Sequence, residues 1–524
     1  MIGFDLNHRL IRVCAVALAL GTASALPQGA LAAAKATASP AAGSPSPAAL
    51  PTASPEPASV AIPRLEGVIQ KNPNDKQSMA DLAGYYLQAG RAQQALALTQ
   101  KLLAAGMKTA QVYYLDGTAN QALGHIKEAT DDFENASNLE PTNSEILVTL
   151  TSLYLQTNRP ADAERVAKRA TTFNKDNTRA WMNYGLVLAE EKKFDDARVQ
   201  FETASKLDPK DPAPIVLEAR TYIAQNAPAL ALQEFDRALT INPKYPDALL
   251  GKARLQASQH NVKDSIATYE QLLAIVPTDD EKASVILEES GVYRAEKMDS
   301  DALATLKRAV DTYPKVAGVH IVYGDYLNAQ KDVSGAIAQW NIALGPNRDN
   351  PDALQRLADV SLVQNKPQDA VGYTKRLTEV SPNDPGGWLA YGQTLAFTRQ
   401  WSGARDAFRR SFELAHTPQS LAGIATADYQ MKNPKECAEI FDALDKNVAP
   451  FLKQNPQLYF VMGDCYRQSG QRDKAKSAYL RLQPFLKPGT QISNDVKKIL
   501  ADLSAPASTK AASAKPKPSA SPKH

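Results

Sequence analysis

The sequence predicts an all-α fold, a solenoid of stacked helix pairs. Alanine returns every 34 residues at Ala95, Ala129, Ala163, Ala197 and Ala231. Ser265 takes the next slot, and after three extra residues the series resumes at Ala302, Ala336, Ala370 and Ala404. Pro73, Pro141, Pro209, Pro243, Pro277, Pro314 and Pro382 keep the same clock at spacings of 34, 37 or 68. Such a period marks a repeat architecture, in which units too small to bury their own apolar face stack to share a core.

Within a unit the apolar spacing is helical. In residues 178–211, Trp181, Tyr184, Gly185 and Leu188 fall at i, i+3, i+4 and i+7, one stripe of a first helix. A turn at Lys192 and Lys193 follows, then Ala197, Phe201 and Ala204 form the stripe of a second helix. Pro209 between Asp208 and Asp211 ends that helix and lets the next begin. Gly185 and Ala197 mark where the two antiparallel helices approach closely, at the short end of the ~8–10 Å interaxial range.

These residues resemble the tetratricopeptide repeat (TPR) family, whose pattern runs aromatic, Leu-Gly, Tyr, Ala, Phe, Pro. Trp388, Tyr391, Gly392, Leu395, Ala404 and Phe408 repeat it nearly whole, as do Tyr459, Met462, Gly463, Tyr466, Ala475 and Tyr479. Tyr113, Gly117, Ala129, Phe133, Ala136 and Pro141 give a third copy, and Tyr323, Gly324, Ala336, Trp340 and Ala343 a fourth. The resemblance implies a right-handed superhelical solenoid of about twelve antiparallel helix pairs from Asp75 to about Leu486. With a lone second helix at 63–72 and a closing helix at 493–503, the array is expected to occupy 63–503. Two places break the clock. Extra residues at Asp279 to Lys282 are expected to lengthen an inter-repeat turn, and the spacing stretches between Phe441 and Pro456.

The flanks differ. In residues 1–34, Arg9 and Arg12 precede the apolar run Val13–Leu20, and small residues follow. This is the layout of a secretory signal peptide, with cleavage expected after Ala25, Ala32 or Ala34. The run is too short for a membrane span, which needs ~20 apolar residues, so the mature chain is expected to carry no transmembrane span. The protein is therefore expected to be exported, to a periplasmic or extracellular location. Residues 35–62 are almost all Ala, Pro, Ser and Thr and read as a disordered linker. Residues 504–524 form a basic low-complexity tail with Lys510, Lys515, Lys517 and Lys523. Beyond the leader only Cys437 and Cys465 remain. Two buried free thiols are the favoured expectation, since Cys is a common small core residue; a disulfide is the alternative in an oxidising compartment.

Composition narrows the function. A net charge of +3 over 524 residues gives no support for a nucleic-acid or membrane-surface role. The six histidines (His8, His125, His260, His320, His416 and His524) show no metal-ligand spacing. Neither a phosphate loop nor a nucleophile elbow occurs, so an enzyme with a metal or cofactor is not expected. His320 reads as filling an aromatic core slot. The family resemblance implies that the first helix of each unit lines a concave groove. On the face opposite the core stripe stand Leu217, Arg220, Leu250, Arg254, Leu287, Arg294 and Ile321, which would suit an extended peptide or helix bearing carboxylates. The competing reading pairs the arginines with Glu288 and Asp325. Two ligand patterns of the family are missing. Asn183 lacks the Lys and Asn partners of a carboxylate clamp, and Leu115, Thr149, Leu217 and Gly251 break the asparagine ladder of sugar-transferase-linked members. The expectation is a non-enzymatic exported scaffold binding a protein or peptide, in cell-envelope or secretion assembly. An accessory subunit of a polysaccharide export or synthesis system is the alternative.

Overall fold

The computed structural model describes residues 56–504 other than Asn347 and Val448. The segment expected to be a signal peptide, most of the expected linker and nearly all of the basic tail lie outside the described residues. Those residues fall into two compact units, divided between Thr305 and Leu306.

Twelve helix pairs follow one another in chain order among the described residues, with no strand. The first unit holds six whole pairs, from Lys76–Gln88 with Ala92–Ala104 to Pro246–Ser258 with Val262–Leu273. A seventh, Asp279–Ala295 with Asp299–Thr312, reaches the division. The second unit holds five, from Ala317–Ala329 with Val333–Ala343 to Leu458–Gln468 with Arg472–Leu482. Ala58–Lys71 precedes the first pair and Gln491–Ser504 follows the last. The opening helix begins inside the stretch expected to be linker. Its fourth and fifth residues, Ala61 and Ile62, are buried just before Pro63, and Ile62 packs with Leu65 in the core of the first pair. Apolar contact there outweighs the Ala/Pro composition.

The packing slots explain the clock. Ala95, Ala129, Ala163, Ala197, Ala231, Ala302, Ala336, Ala370 and Ala404 are all wholly buried. Ser265, equally buried, fits the same slot because its hydroxyl donates to Ala253 O at 2.8 Å on the facing helix. Opposite the glycine slot lies a ring. A Cβ on Gly185 would stand 2.5 Å from Phe201 Cε1, one on Gly324 2.5 Å from Trp340 Nε1, and one on Gly463 2.9 Å from Tyr479 Cε2. The glycine is therefore a seat for the ring of the second helix, and the alanine lets that ring come down.

The turn inside each pair carries a rule that composition hides. In all twelve pairs the second residue past the first helix is left-handed, from φ 56° at Asn158 to 81° at Gly470. Glycine fills this slot at Gly90, Gly124 and Gly470 and asparagine at Asn158, Asn226 and Asn365, but lysine fills it at Lys192, Lys297, Lys331 and Lys432. Arg399 and His260 complete the set. The following N–H closes a six-residue loop, as Lys193 N–H does to Leu188 O at 2.8 Å, satisfying a carbonyl the helix end leaves over. A left-handed conformation costs a side-chain-bearing residue ~1–2 kcal/mol. Lys192→Gly is expected to raise stability by up to about 1 kcal/mol, the gain being reduced by glycine's greater freedom when unfolded. Denaturant midpoints read it; a loss of stability would show that the lysine side chain has its own role there.

The insertion at Asp279 to Lys282 does not lengthen a turn as expected. It extends the first helix, Asp279–Ala295, to 17 residues where the other first helices have 11 to 13. Thr278 Oγ1 accepts from Glu281 N–H at 3.2 Å and the Glu281 carboxylate accepts from Thr278 N–H at 3.0 Å, a reciprocal cap that starts the helix early. The second break contains a short helix, Ala449–Gln454, whose Leu452 is wholly buried.

The cysteines also depart from the favoured expectation. Cys437 and Cys465 form a disulfide, with Cα atoms 5.9 Å apart. They lie on Pro434–Asn447 and Leu458–Gln468, which pack face to face, and the intervening short helix brings the chain back. Burial does not distinguish a thiol from a disulfide. Both are indeed buried, but at bonding separation.

Candidate partner-binding face

First helices of consecutive pairs stand side by side within each unit, and polar contacts bind them at about the repeat spacing. Asn183 Nδ2 donates to Val148 O and to Ser152 Oγ, each at 3.0 Å. Asn177 Nδ2 donates to Ser144 Oγ at 3.0 Å, and Arg179 reaches Glu145 at 3.5 Å. Arg356 donates to both Asp325 oxygens, at 2.6 and 2.9 Å. Tyr429 donates to Asp464 at 2.8 Å, and Asp464 also accepts from Tyr479 and Arg467.

The expected site residues divide into three groups. Leu217, Leu250 and Leu287 are half-buried, with Leu217 against the Leu188–Phe201 core and Leu250 against that of Tyr269. Arg220 and Arg294 are exposed, and the Arg220 guanidinium stands 4.0 Å from Asp247, the outer limit of an ion pair. Arg254 and Ile321 are used internally. Arg254 donates through two nitrogens to the two oxygens of Glu288, one of them at 2.9 Å. Glu288 accepts from Tyr269 Oη at 2.9 Å as well. Hydrogen bonding to Glu288 raises the Arg254 pKa, and burial pushes the Tyr269 phenol far up. A fork already bidentate to a carboxylate leaves only its remaining Nη–H donors for a ligand carboxylate. Ile321 is 7% exposed, in a cluster with Trp340, Leu354 and Leu357. Its slot faces the next pair's first helix rather than solvent.

Sequence reasoning passed over Asn183, Arg179 and Arg356 as structural ties. Opposite charges one repeat apart, as at Glu145 and Arg179, were the available signal. His320 sits where sequence placed it, 3% exposed. Its Nε2–H donates to Pro314 O at 3.0 Å, the bond that Trp181 makes to Lys175 O at 2.8 Å and Trp388 to Pro382 O at 2.9 Å. The imidazole is a smaller ring in a tryptophan's place.

A cleft of about 160 Å³ is lined by Arg159, Arg165, Arg169, Glu134 and Tyr154. Its cations are engaged within the fold. Arg159 donates to Glu134 at 2.8 Å and Asp162 at 2.9 Å, Arg165 to Asp162 at 2.9 Å, and Arg169 to Pro141 O at 2.7 Å. The arrangement locks one pair to the next. Among the described residues no group of three His, Cys, Asp or Glu could hold a metal ion, and no helix is long and apolar enough to cross a membrane.

Ring-on-glycine hairpins joined by a polar ladder define an all-helical repeat scaffold of the kind that mediates protein–protein interaction. The chain carries tetratricopeptide repeats. Two tetratricopeptide repeat profiles match it, one at 58–116, 121–183 and 222–285 and the other at 178–211 and 456–483. The human "Cell division cycle protein 16 homolog" is 27% identical over 196 residues, 36% of this chain and 31% of that protein. The "TPR repeat-containing thioredoxin TDX" of Arabidopsis thaliana is 31% identical over 85 residues, 16% of this chain and 22% of that protein. The chain thus spans less than a third of the length of either relative. Among solved structures, YrrB, described as a TPR protein with an unusual peptide-binding site, is 26% identical with a TM-score of 0.32, covering 36% of this chain and 97% of that one. Pseudomonas aeruginosa PilF is 18% identical with a TM-score of 0.33, covering 42% and 97%. A tetratricopeptide repeat protein of Parabacteroides merdae is 19% identical with a TM-score of 0.34, covering 45% and 91%.

Proposed function

We propose that this protein is an exported, non-enzymatic scaffold that captures a protein or peptide along the first-helix face of its repeats, in cell-envelope or secretion assembly. The observation that carries the reading is a division of labour. Glycine, alanine and ring slots recur from pair to pair, while the outward residues of the first helices vary more along the array. In the first unit those outward residues include half-buried Leu217, Leu250 and Leu287 and the exposed cations Arg220 and Arg294. A partner of matching chemistry is an extended or helical segment with apolar anchors and carboxylates. Export is supported by the leader-like residues 1–34 together with the Cys437–Cys465 disulfide, a bond that persists in oxidising compartments.

A photo-crosslinking amino acid at Arg220 and at Arg294, in the native cell, tests this. Discrete protein adducts are expected at both positions. Arg220→Glu with Arg294→Glu is expected to lower partner capture at least about ten-fold through loss of two charge-assisted contacts, with helicity and melting unchanged. Capture of a glycan in place of protein would move the assignment to the polysaccharide system. Unaltered capture by the double variant would remove this face from the proposal.

A further inference from the structure

The second repeat contains two carboxyl groups pressed together inside the fold. Asp116 lies on Ala110–Ala122 and Asp132 on Ile126–Leu139, and their carboxyl groups are close enough to act on each other's ionisation. Asp116 is 5% exposed. Gly117 sets the close approach, because a Cβ there would stand 3.1 Å from Asp132 Cβ and 2.8 Å from Phe133 Cδ2. The preceding repeat contributes Thr99, whose hydroxyl donates to Asp116 Oδ1. Asn120 Nδ2 donates to Asp132 Oδ2 at 2.9 Å, and His125 Nδ1 lies 3.3 Å from Asn120 Oδ1. The remaining nearby charge is that of Asp131, also negative. Among the described residues neither carboxyl is paired with a lysine, arginine or histidine. Two carboxyl groups held this close resist ionising together, so the pair keeps one proton to avoid repulsion.

We propose that Asp116 and Asp132 form a proton-dependent latch. With one shared proton it ties the two helices of the second repeat together, and once that proton is lost the repeat loosens against its neighbours. Burial, with the charge of Asp116 added to it, pushes Asp132 up to about 7, and burial raises Asp116 too. The folded repeat therefore holds a proton that the unfolded chain releases near pH ~4. The latch is fully engaged at acid pH, weakens as pH rises, and is lost through about 7. Thr99 couples it to the first repeat, so the loosening spreads along the array rather than staying within one hairpin.

Backbone hydrogen exchange on the full chain, corrected for intrinsic exchange, tests the latch. Protection of residues 110–139 is expected to fall at least about ten-fold between about pH 5.5 and about 8, while that of 178–207 stays level. Asp132→Asn reproduces the protonated geometry, since its amide can donate to Asp116 and accept from Asn120, and it is expected to abolish the fall. Asp131→Asn leaves both latch residues in place and removes a charge that raises Asp132, so it is expected to move the fall to lower pH. This second variant decides the matter should Asp132→Asn fail to fold. A level wild-type profile, an equal fall in both segments, a fall retained by Asp132→Asn, or an unmoved fall in Asp131→Asn would each overturn the latch.

Discussion

Removing the Cys437–Cys465 bond lowers the stability of the last repeats by about 3–4 kcal/mol, the expected effect of freeing a loop of this size. The bond closes a loop with a sequence separation of 28. That loop contains the second irregular stretch of the array and the short helix Ala449–Gln454. Elsewhere one pair holds the next through a short turn. Here the chain makes a detour, so the covalent tie limits the unfolded ensemble where the connection is longest. Cys437→Ala with Cys465→Ala avoids burying hydroxyls in a site where both residues are wholly buried. Exchange in residues 418–504 should accelerate in the double variant and in reduced wild-type protein, leaving 76–104 unchanged. Fully reduced protein with undiminished protection would show that packing around Leu452, Met462 and Tyr466 suffices alone.

Phe408→Ala is expected to cost about 3–5 kcal/mol, as for other buried rings. Its ring lies between two glycines. A Cβ on Gly392 of the same pair would stand 2.6 Å from Phe408 Cδ1, and one on Gly423 of the next pair 2.7 Å from Cδ1 and Cγ. Removing the ring therefore empties a seam between two repeats as well as a core position. Gly423→Ala should reverse its sign with the ring present or absent. In wild-type protein the methyl overpacks, at a cost of about 1–3 kcal/mol that outweighs the ~1 kcal/mol gain in helix propensity. In the Phe408→Ala background the methyl enters the void and both terms favour it. A double-mutant cycle by denaturant unfolding reads the coupling. Additive effects would mean that the ring moves aside freely.

The architecture was legible because its slots limit volume. Ala197 and Gly185 leave a signature through what cannot replace them, and a repeat multiplies that signature. Ser265 shows the limit, since a hydroxyl of the right size with an acceptor at Ala253 passes for alanine. The left-handed turn was not legible, because backbone conformation there is imposed by the hairpin. Lysine, arginine and histidine accept it at a cost the packing offsets, so no residue type announces it. The candidate face was legible as a face but not residue by residue. Arg220 and Arg254 look alike in sequence, yet Glu288 one repeat further on engages only the second. Ile321 looks like Leu250, but Trp340 and Leu354 cover it. Distinguishing such residues requires knowing which side chain of the neighbouring unit arrives first.

The capped extension at Thr278 bears on how such an array can change in length. Three additional residues are close to one turn of ~3.6 residues, and the chain stores them above the packing slots as extra helix. Downstream, Ala302, Ala336, Ala370 and Ala404 resume their interval as though counted from a new origin. Each ring meets its glycine within its own pair or the next one, so a whole hairpin, or one helical turn at the head of a first helix, can be added without disturbing the packing slots of later pairs.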